Sequence, residues 1–299
     1  MRILKWFAGL VAVLLGIAVL AATAVYAITE VWLGESYDIA VEPVAVATEP
    51  ADIAEGRRLA VTRGCTDCHG ADLGGRAVVD DPAMGVFYAS NLTAGSGGIA
   101  GQYDVADWQR AIRHGVGANG RPLVLMPSFE YFPMGDADLG RLIAYMTTVP
   151  PVDRVARPTT LGPMARLLLS IGEITLSARM IDHAASRPAA PPSGPTAAYG
   201  AYLAVGCTGC HGESFSGGKI PGVPPEWPAA SNITPDPDTG LGKWSAADFE
   251  AALRRGVRPD GRKLDPVMPS AQFAELTDDE VEALWAYLKT LPPRGFGNR

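Results

Sequence analysis

The sequence is short of the residues that build most metal and thiol chemistry: 299 residues contain only four cysteines and four histidines. All four cysteines fall into two C-x-x-C pairs, Cys65/Cys68 and Cys207/Cys210, and none is left over. After His211 no further histidine occurs, and Met268 is the only methionine. Positive charge is also scarce, with a formal net charge of -7. That balance argues against a nucleic-acid binder, which needs a basic stripe to neutralise phosphates, and favours basic or neutral protein partners. The stretch Asp153 to Pro195 has five arginines against three acids, so the acidity lies outside it. No run alternates with period two for long enough to suggest a sheet, and the chain reads as all-α.

The N-terminus places Arg2 and Lys5 ahead of an uncharged apolar run of 23 residues from Trp6 to Ile28. A signal-peptide core needs roughly 7–15 such residues and a membrane span about 20, so length favours a retained anchor. The small-residue sequence VYA ending at Ala27 keeps a cleaved signal as the rival reading. In both cases the positive flank stays cytoplasmic and the chain beyond about residue 35 is exported, into the periplasm of a bacterium with the anchor in the inner membrane.

The exported part is an internal duplication. CTDCHG at Cys65 answers CTGCHG at Cys207, SNLT at Ser90 answers SNIT at Ser231, and MPS at Met126 answers MPS at Met268. The separation from first cysteine to that methionine is 61 residues in both copies. Ser245 with Asp248, Asp104 with Asp107 and Thr277 with Glu280 have the spacing of helix N-caps. Val281, Leu284, Leu288 and Leu291, and in the first copy Leu139, Leu142, Ile143 and Met146, recur at helical spacing. The chain therefore divides into an N-terminal membrane segment (1–35), a first module (50–152), a linker (153–195) and a second module (196–299). In the linker, Pro163 opens a helix with Arg166, Ser170, Glu173 and Ser177 on a polar stripe, an amphipathic connector read as packing on one or both modules rather than on a membrane surface.

C-x-x-C serves zinc sites, thioredoxin-like redox pairs and, when histidine follows directly, c-type haem attachment. His69 and His211 follow directly. Zinc would need complementary ligands at finger or ribbon spacing, and a redox pair would need a βαβ context. In the haem reading Cys65, Cys68, Cys207 and Cys210 form the thioethers to two covalently bound haem c groups, and His69 and His211 ligate the irons. For the sixth position the second module offers only Met268, and the duplication then selects Met126 over Met84, Met134, Met146 and His114. Met146 reads as core filling. His114 aligns with Arg255 and reads as a surface residue, and His183 in the linker reads as solvated. Asn91 and Asn232 stand in N-x-T sequences and are read as turn residues rather than glycan acceptors. Tyr103, Trp108, Trp244 and Phe249 line haem pockets or fill the core.

On these residues the chain resembles the class I c-type cytochromes, with one domain per repeat, over about Ile53 to Pro151 and Thr196 to Pro293. More narrowly, SNITPDPDTGLGKWSAADFEAALRRGVRPDGRKLDPVMPS is similar to the cytochrome subunits of membrane-bound bacterial alcohol, aldehyde and gluconate dehydrogenases. The resemblance implies two tandem cytochrome domains that pass single electrons between redox partners, a dehydrogenase or a respiratory complex, and no catalytic residue of their own. Those subunits typically carry three haem motifs, whereas here there are two, and no hydrophobic tail follows KTLPPRGFGNR. Two closed iron sites favour a carrier; the rival is a dihaem enzyme such as a cytochrome c peroxidase, which needs one displaceable axial ligand.

Overall fold

A computed structural model of the protein describes residues 2–187, 189–224 and 226–299. It begins with α1 (Arg2–Leu33), a single helix whose most apolar 18-residue window has a mean hydropathy of 2.5 and no buried residue. The first module contains α2 (Pro50–Thr62), α3 (Cys65–His69), strands β1 (Arg76–Asp81) and β2 (Gly85–Ala89), α4 (Val105–Gln109), α5 (Ser128–Tyr131) and α6 (Asp136–Thr148). A π-helical turn, Arg110–His114, continues α4. The linker contributes β3 (Thr160–Leu161), α7 (Pro163–Ser170) and α8 (Ser177–Met180). The second module contains α9 (Ala197–Ala204), the 3-10 turn Val205–Cys207, α10 (Thr208–His211), α11 (Ala246–Arg255), α12 (Ser270–Phe273) and α13 (Asp278–Leu288).

Each module forms its own hydrophobic core, and in each the first helix crosses the last: α2 on α6 and α9 on α13. The apolar stripes predicted for the last helices are buried except at Leu291, which lies past the end of α13 and is half-buried. Leu139, Leu142, Ile143 and Met146 are at most 2% exposed, and Val281, Leu284 and Leu288 fill the second core. Gly56 and Gly200 lie at the two crossings, where a Cβ would run into the carbonyl oxygens of Arg141 and Ala283. A glycine in mid-helix, unfavourable for the isolated helix, is what lets the backbones approach this closely. The three expected N-caps are formed as reciprocal capping boxes at Asp104/Asp107, Ser245/Asp248 and Thr277/Glu280.

The all-α expectation needs correcting. β1, β2 and β3 form an antiparallel three-stranded sheet that ties the first module to the linker. A bulge between Ala77 and Val79 breaks the register, and with it the period-two pattern that would reveal a strand. The hairpin turns at Asp81, whose carboxylate accepts from the backbone N–H groups of Ala83 and Met84.

The linker helix is also shorter than its polar stripe suggests. α7 stops at Ser170, Gly172 takes a φ of +82°, and Glu173 falls outside the helix. Ser177, expected on the polar face, is buried, and its hydroxyl donates to the carbonyl oxygen of Met126 at 2.6 Å. Leu169, Ile174 and Leu176 form a small core with Trp32, Leu33 and Met84, so the linker wraps the first module and the end of α1.

Candidate haem sites

In the first module the turn after α2 delivers Cys65, Cys68 and His69 on one short helix. Gly70 ends it with a φ of +84°, and Gly212 repeats this at +79°, a conformation that explains the glycine following each histidine. His69 Nδ1 lies 2.7 Å from the carbonyl oxygen of Ser90, and His211 Nδ1 lies 2.7 Å from that of Ser231. Donation from Nδ1 fixes the tautomer and leaves Nε2 with the lone pair an iron needs. Burial lowers the pKa of both imidazoles, which keeps them neutral.

The repeated S-N-x-T sequence supplies that carbonyl and locks it in place. Asn91 Oδ1 accepts from the N–H and hydroxyl of Thr93, while its amide donates to the carbonyl oxygen of Val152 at 2.7 Å. Asn232 makes the same set with Thr234 and the carbonyl oxygen of Arg294. Both asparagines are buried, at 0% and 2% exposed, in keeping with the turn role and incompatible with a glycan.

A cavity of about 310 Å³ beside α3 is lined by Cys65, Cys68, His69 and Met126, together with Tyr103 and Trp108. It suits a haem in three respects. The thiols, the imidazole and the thioether share one apolar chamber, the lining is aromatic and aliphatic, and the buried Trp108 Nε1 has no protein partner. Burial raises both thiols of each C-x-x-C pair, with Cys65 and Cys207 pushed up to about 12. Thiols held protonated in this way do not suit a nucleophilic redox pair. Met84 lies in the linker core and Met134 in the module core, so of the first module's rival methionines only Met146 also reaches the cavity, from within α6. In the second module Met268 packs with Cys207 against the core formed by Phe249 and Leu253, and Trp244 stands beside it.

The two sites face each other through contacts that repeat in pairs. Asp67, between the first two cysteines, accepts from Gln272 Nε2 on α12 at 2.5 Å. Gly209, between the second two, sits against the carboxylate of Glu130 on α5, close enough that a Cβ there would collide with it. Glu130 and Gln272 stand at the same place after Met126 and Met268, so each attachment segment packs on the other module's methionine loop. This is the self-complementary arrangement of a two-fold interface. A second cavity of about 270 Å³ lies at this junction, bordered by Cys68 and Cys207. Arg58 ties the modules with bonds to Glu280 of 2.6 and 2.9 Å, and Tyr202 donates to Asp138 at 2.7 Å. Burial pushes the Glu130 carboxyl up to about 7, only partly offset by the N–H of Gly209.

Two histidines need correcting: His114, read as a surface residue from the repeat, and His183, read as solvated from its place in the linker. His114 is 6% exposed and its Nδ1 lies 3.1 Å from Nδ1 of His183, whose Nε2 is 2.9 Å from the carbonyl oxygen of Ala178. Neither is a free surface group, and burial, then His183 and nearby arginines, lowers His114 to about 4. Its counterpart Arg255 is exposed. The sequence does not single out Glu130, Gln272 or Arg58, and it places Ser177 on a polar stripe rather than against Met126. The repeat does align Glu130 with Gln272, the one signal that was available.

Comparison with known proteins agrees with this geometry. Residues 197–292 match the family Cytochrome c, and residues 51–146 match Cytochrome C oxidase, cbb3-type, subunit III. The gluconate 2-dehydrogenase cytochrome c subunit of Pantoea cypripedii is 31% identical over 271 residues, 80% of this chain and 59% of the relative. An alcohol dehydrogenase (quinone), cytochrome c subunit, of Gluconobacter oxydans is 41% identical over 80 residues, 27% of this chain and 17% of the relative. A diheme cytochrome c-type protein of Cereibacter sphaeroides is 37% identical over 101 residues, 31% of this chain and 34% of the relative. The chain thus spans less than two thirds of the length of these curated relatives. It is a c-type cytochrome with two cytochrome domains that bind haem covalently, similar to the cytochrome c subunits of bacterial alcohol and gluconate dehydrogenases.

Proposed function

We propose that this protein is a membrane-anchored periplasmic electron-transfer subunit that accepts single electrons from a dehydrogenase and hands them to a respiratory partner. Cys65, Cys68, Cys207 and Cys210 would attach the two haems, with His69 and Met126 as axial ligands of one iron and His211 and Met268 of the other. When bound, the haem supplies reversible one-electron chemistry. The chain's part is to hold the ligands rigidly: Ser90 and Ser231 orient the imidazoles, Ser177 pins the backbone of Met126, and Pro127 and Pro269 stiffen the methionine loops. The apolar walls exclude water and, with methionine ligation, favour a raised reduction potential.

The observation that carries the proposal is the paired interface, which sets both attachment segments on one junction, as a relay within a single chain requires. Anchoring is supported by the unbroken course of α1 past Ala27 to Leu33, with Thr29 buried and bonded from Arg166. Cleavage at Ala27 would cut a helix that the linker grips on both sides of that residue.

Purification from native membranes under mild detergent tests the reading. A dehydrogenase should co-purify, and its substrate should reduce both haems. A protein recovered alone, reducible only by artificial donors, or one that turns over hydrogen peroxide at a high-spin haem, would contradict it.

A further inference from the structure

Trp6 and Tyr26 on α1 are both exposed and stand 20 residues apart, which at 1.5 Å per residue is about 30 Å, the thickness of a hydrocarbon core. Aromatic side chains at the two ends of an apolar helix mark the two membrane interfaces, so Tyr26 sits at the level of the outer headgroups. The linker is fastened at that level. The Arg166 guanidinium lies 4.0 Å from the centroid of the Tyr26 ring, donates to Thr29 Oγ1 at 2.7 Å and pairs with Glu30 at 2.5 Å. The arginine side chain itself is only 12% exposed, so the join between α7 and α1 is built rather than incidental.

On the side of α7 opposite its buried Ala165 and Leu169, Met164 and Leu167 stand in the open at 45% and 43% exposed, and Ile171, which caps the helix, follows them at 63%. Their spacing of three and seven residues puts them on one stripe. Along α1 large apolar side chains stay exposed as far as Ile28 and Val31, at the level where Arg166 fastens α7. From this shared level we propose that α7 and the residue that caps it form an interfacial segment whose Met164, Leu167 and Ile171 dip into the outer leaflet, fixing the height and tilt of the first haem module above the bilayer.

The assignment rests on α1 being a retained membrane anchor and adds a second contact to it. Its polar companions fit the headgroup region: Arg166 and Arg179 are held by Glu30 and Glu35, so the strip carries little net charge and binds through apolar area rather than through anionic lipid. The consequence is orientation. A domain tethered by α1 alone would rotate freely about the join, whereas two contacts present one face of the module to partners in the membrane.

Spin labels placed singly on the full-length haem protein, reconstituted in phosphatidylcholine vesicles, test this by collision with oxygen, which concentrates in lipid, and with a water-soluble nickel chelate. The sites are Val13→Cys in α1, Leu167→Cys in α7, Ile171→Cys at its C-cap, and Asp260→Cys in an exposed loop of the second module. Labels at 13, 167 and 171 should gain oxygen collisions and lose chelate collisions relative to 260, with 167 and 171 shallower than 13. If 13 is deep while 167 and 171 remain open to the chelate, the anchor stands and the interfacial helix is overturned. If 167 and 171 are shielded from both reagents, a protein covers them and the lipid assignment fails. If 13 itself is aqueous, the anchor fails and the inference goes with it.

Discussion

Replacing Arg58 with leucine leaves a carboxylate stranded at the junction of the two modules. Arg58 donates to Glu55 at 2.6 and 2.8 Å and to Glu280 at 2.6 and 2.9 Å, and its guanidinium is held above its ordinary pKa by Glu55 and then Glu280. Glu280 is only 3% exposed in its side chain and would keep just the N–H of Thr277 at 2.8 Å and a weak contact with Tyr199. Breaking one side of a buried pair costs about 3–5 kcal/mol, and the surviving cap bond places this case near 3. That corresponds to a roughly 150-fold loss in the docked population. Arg57→Leu is the control: its pair with Glu275 is 55% and 34% exposed, which limits its worth to about 0–1 kcal/mol. Hydrogen exchange of the amides of residues 63–68 and 203–209 reads the opening free energy of the junction in each variant. Indistinguishable protection in the two variants would refute the account of how the modules are held.

Other expectations follow from the same geometry. Gly200→Leu forces a side chain into the carbonyl oxygen of Ala283 and should lower the stability of the second module by at least about 2 kcal/mol in guanidinium unfolding, with the first module spared. His114, lowered from 6.5 to about 4, binds fewer protons folded than unfolded, so stability should fall as pH drops from about 6.5 toward 4, by up to about 3 kcal/mol. Glu130, raised from 4.5 to about 7, has the opposite sign: stability should be lost as pH rises from about 4.5 through 7. The two slopes overlap and oppose, so His114→Phe should expose the downward trend with pH and Glu130→Gln the upward one, read as unfolding midpoints across pH. Asn232→Ala removes the latch on Arg294 and should loosen the histidine-bearing segment, seen as a broader and shifted haem spectrum in the second module alone.

What could be read from the sequence was whatever the duplication repeats. The two cysteine motifs and the capping boxes depend on contacts inside one module, and each copy checks the other. The hairpin escaped notice because its bulge at Ala77/Val79 breaks alternation, although the turn residues at Asp81 and Pro82 were visible. His114 is misplaced for a different reason: the linker sets His183 against it, so two aligned residues meet different surroundings. The junction was illegible because it is a tertiary event. Nothing in the local pattern says that Asp67 will meet Gln272 or that Glu130 will rest on Gly209, even though the repeat sets those four residues in corresponding pairs.

Absorption and magnetic circular dichroism of the oxidised full-length protein test the central claim most directly, read alongside Met126→Ala and Met268→Ala. Two low-spin haems are expected, both contributing to a methionine-to-iron charge-transfer band that falls by half in each single variant and vanishes in the double. A wild-type protein with a high-spin haem, or a band unchanged by either substitution, would contradict the assignment of two closed histidine–methionine sites.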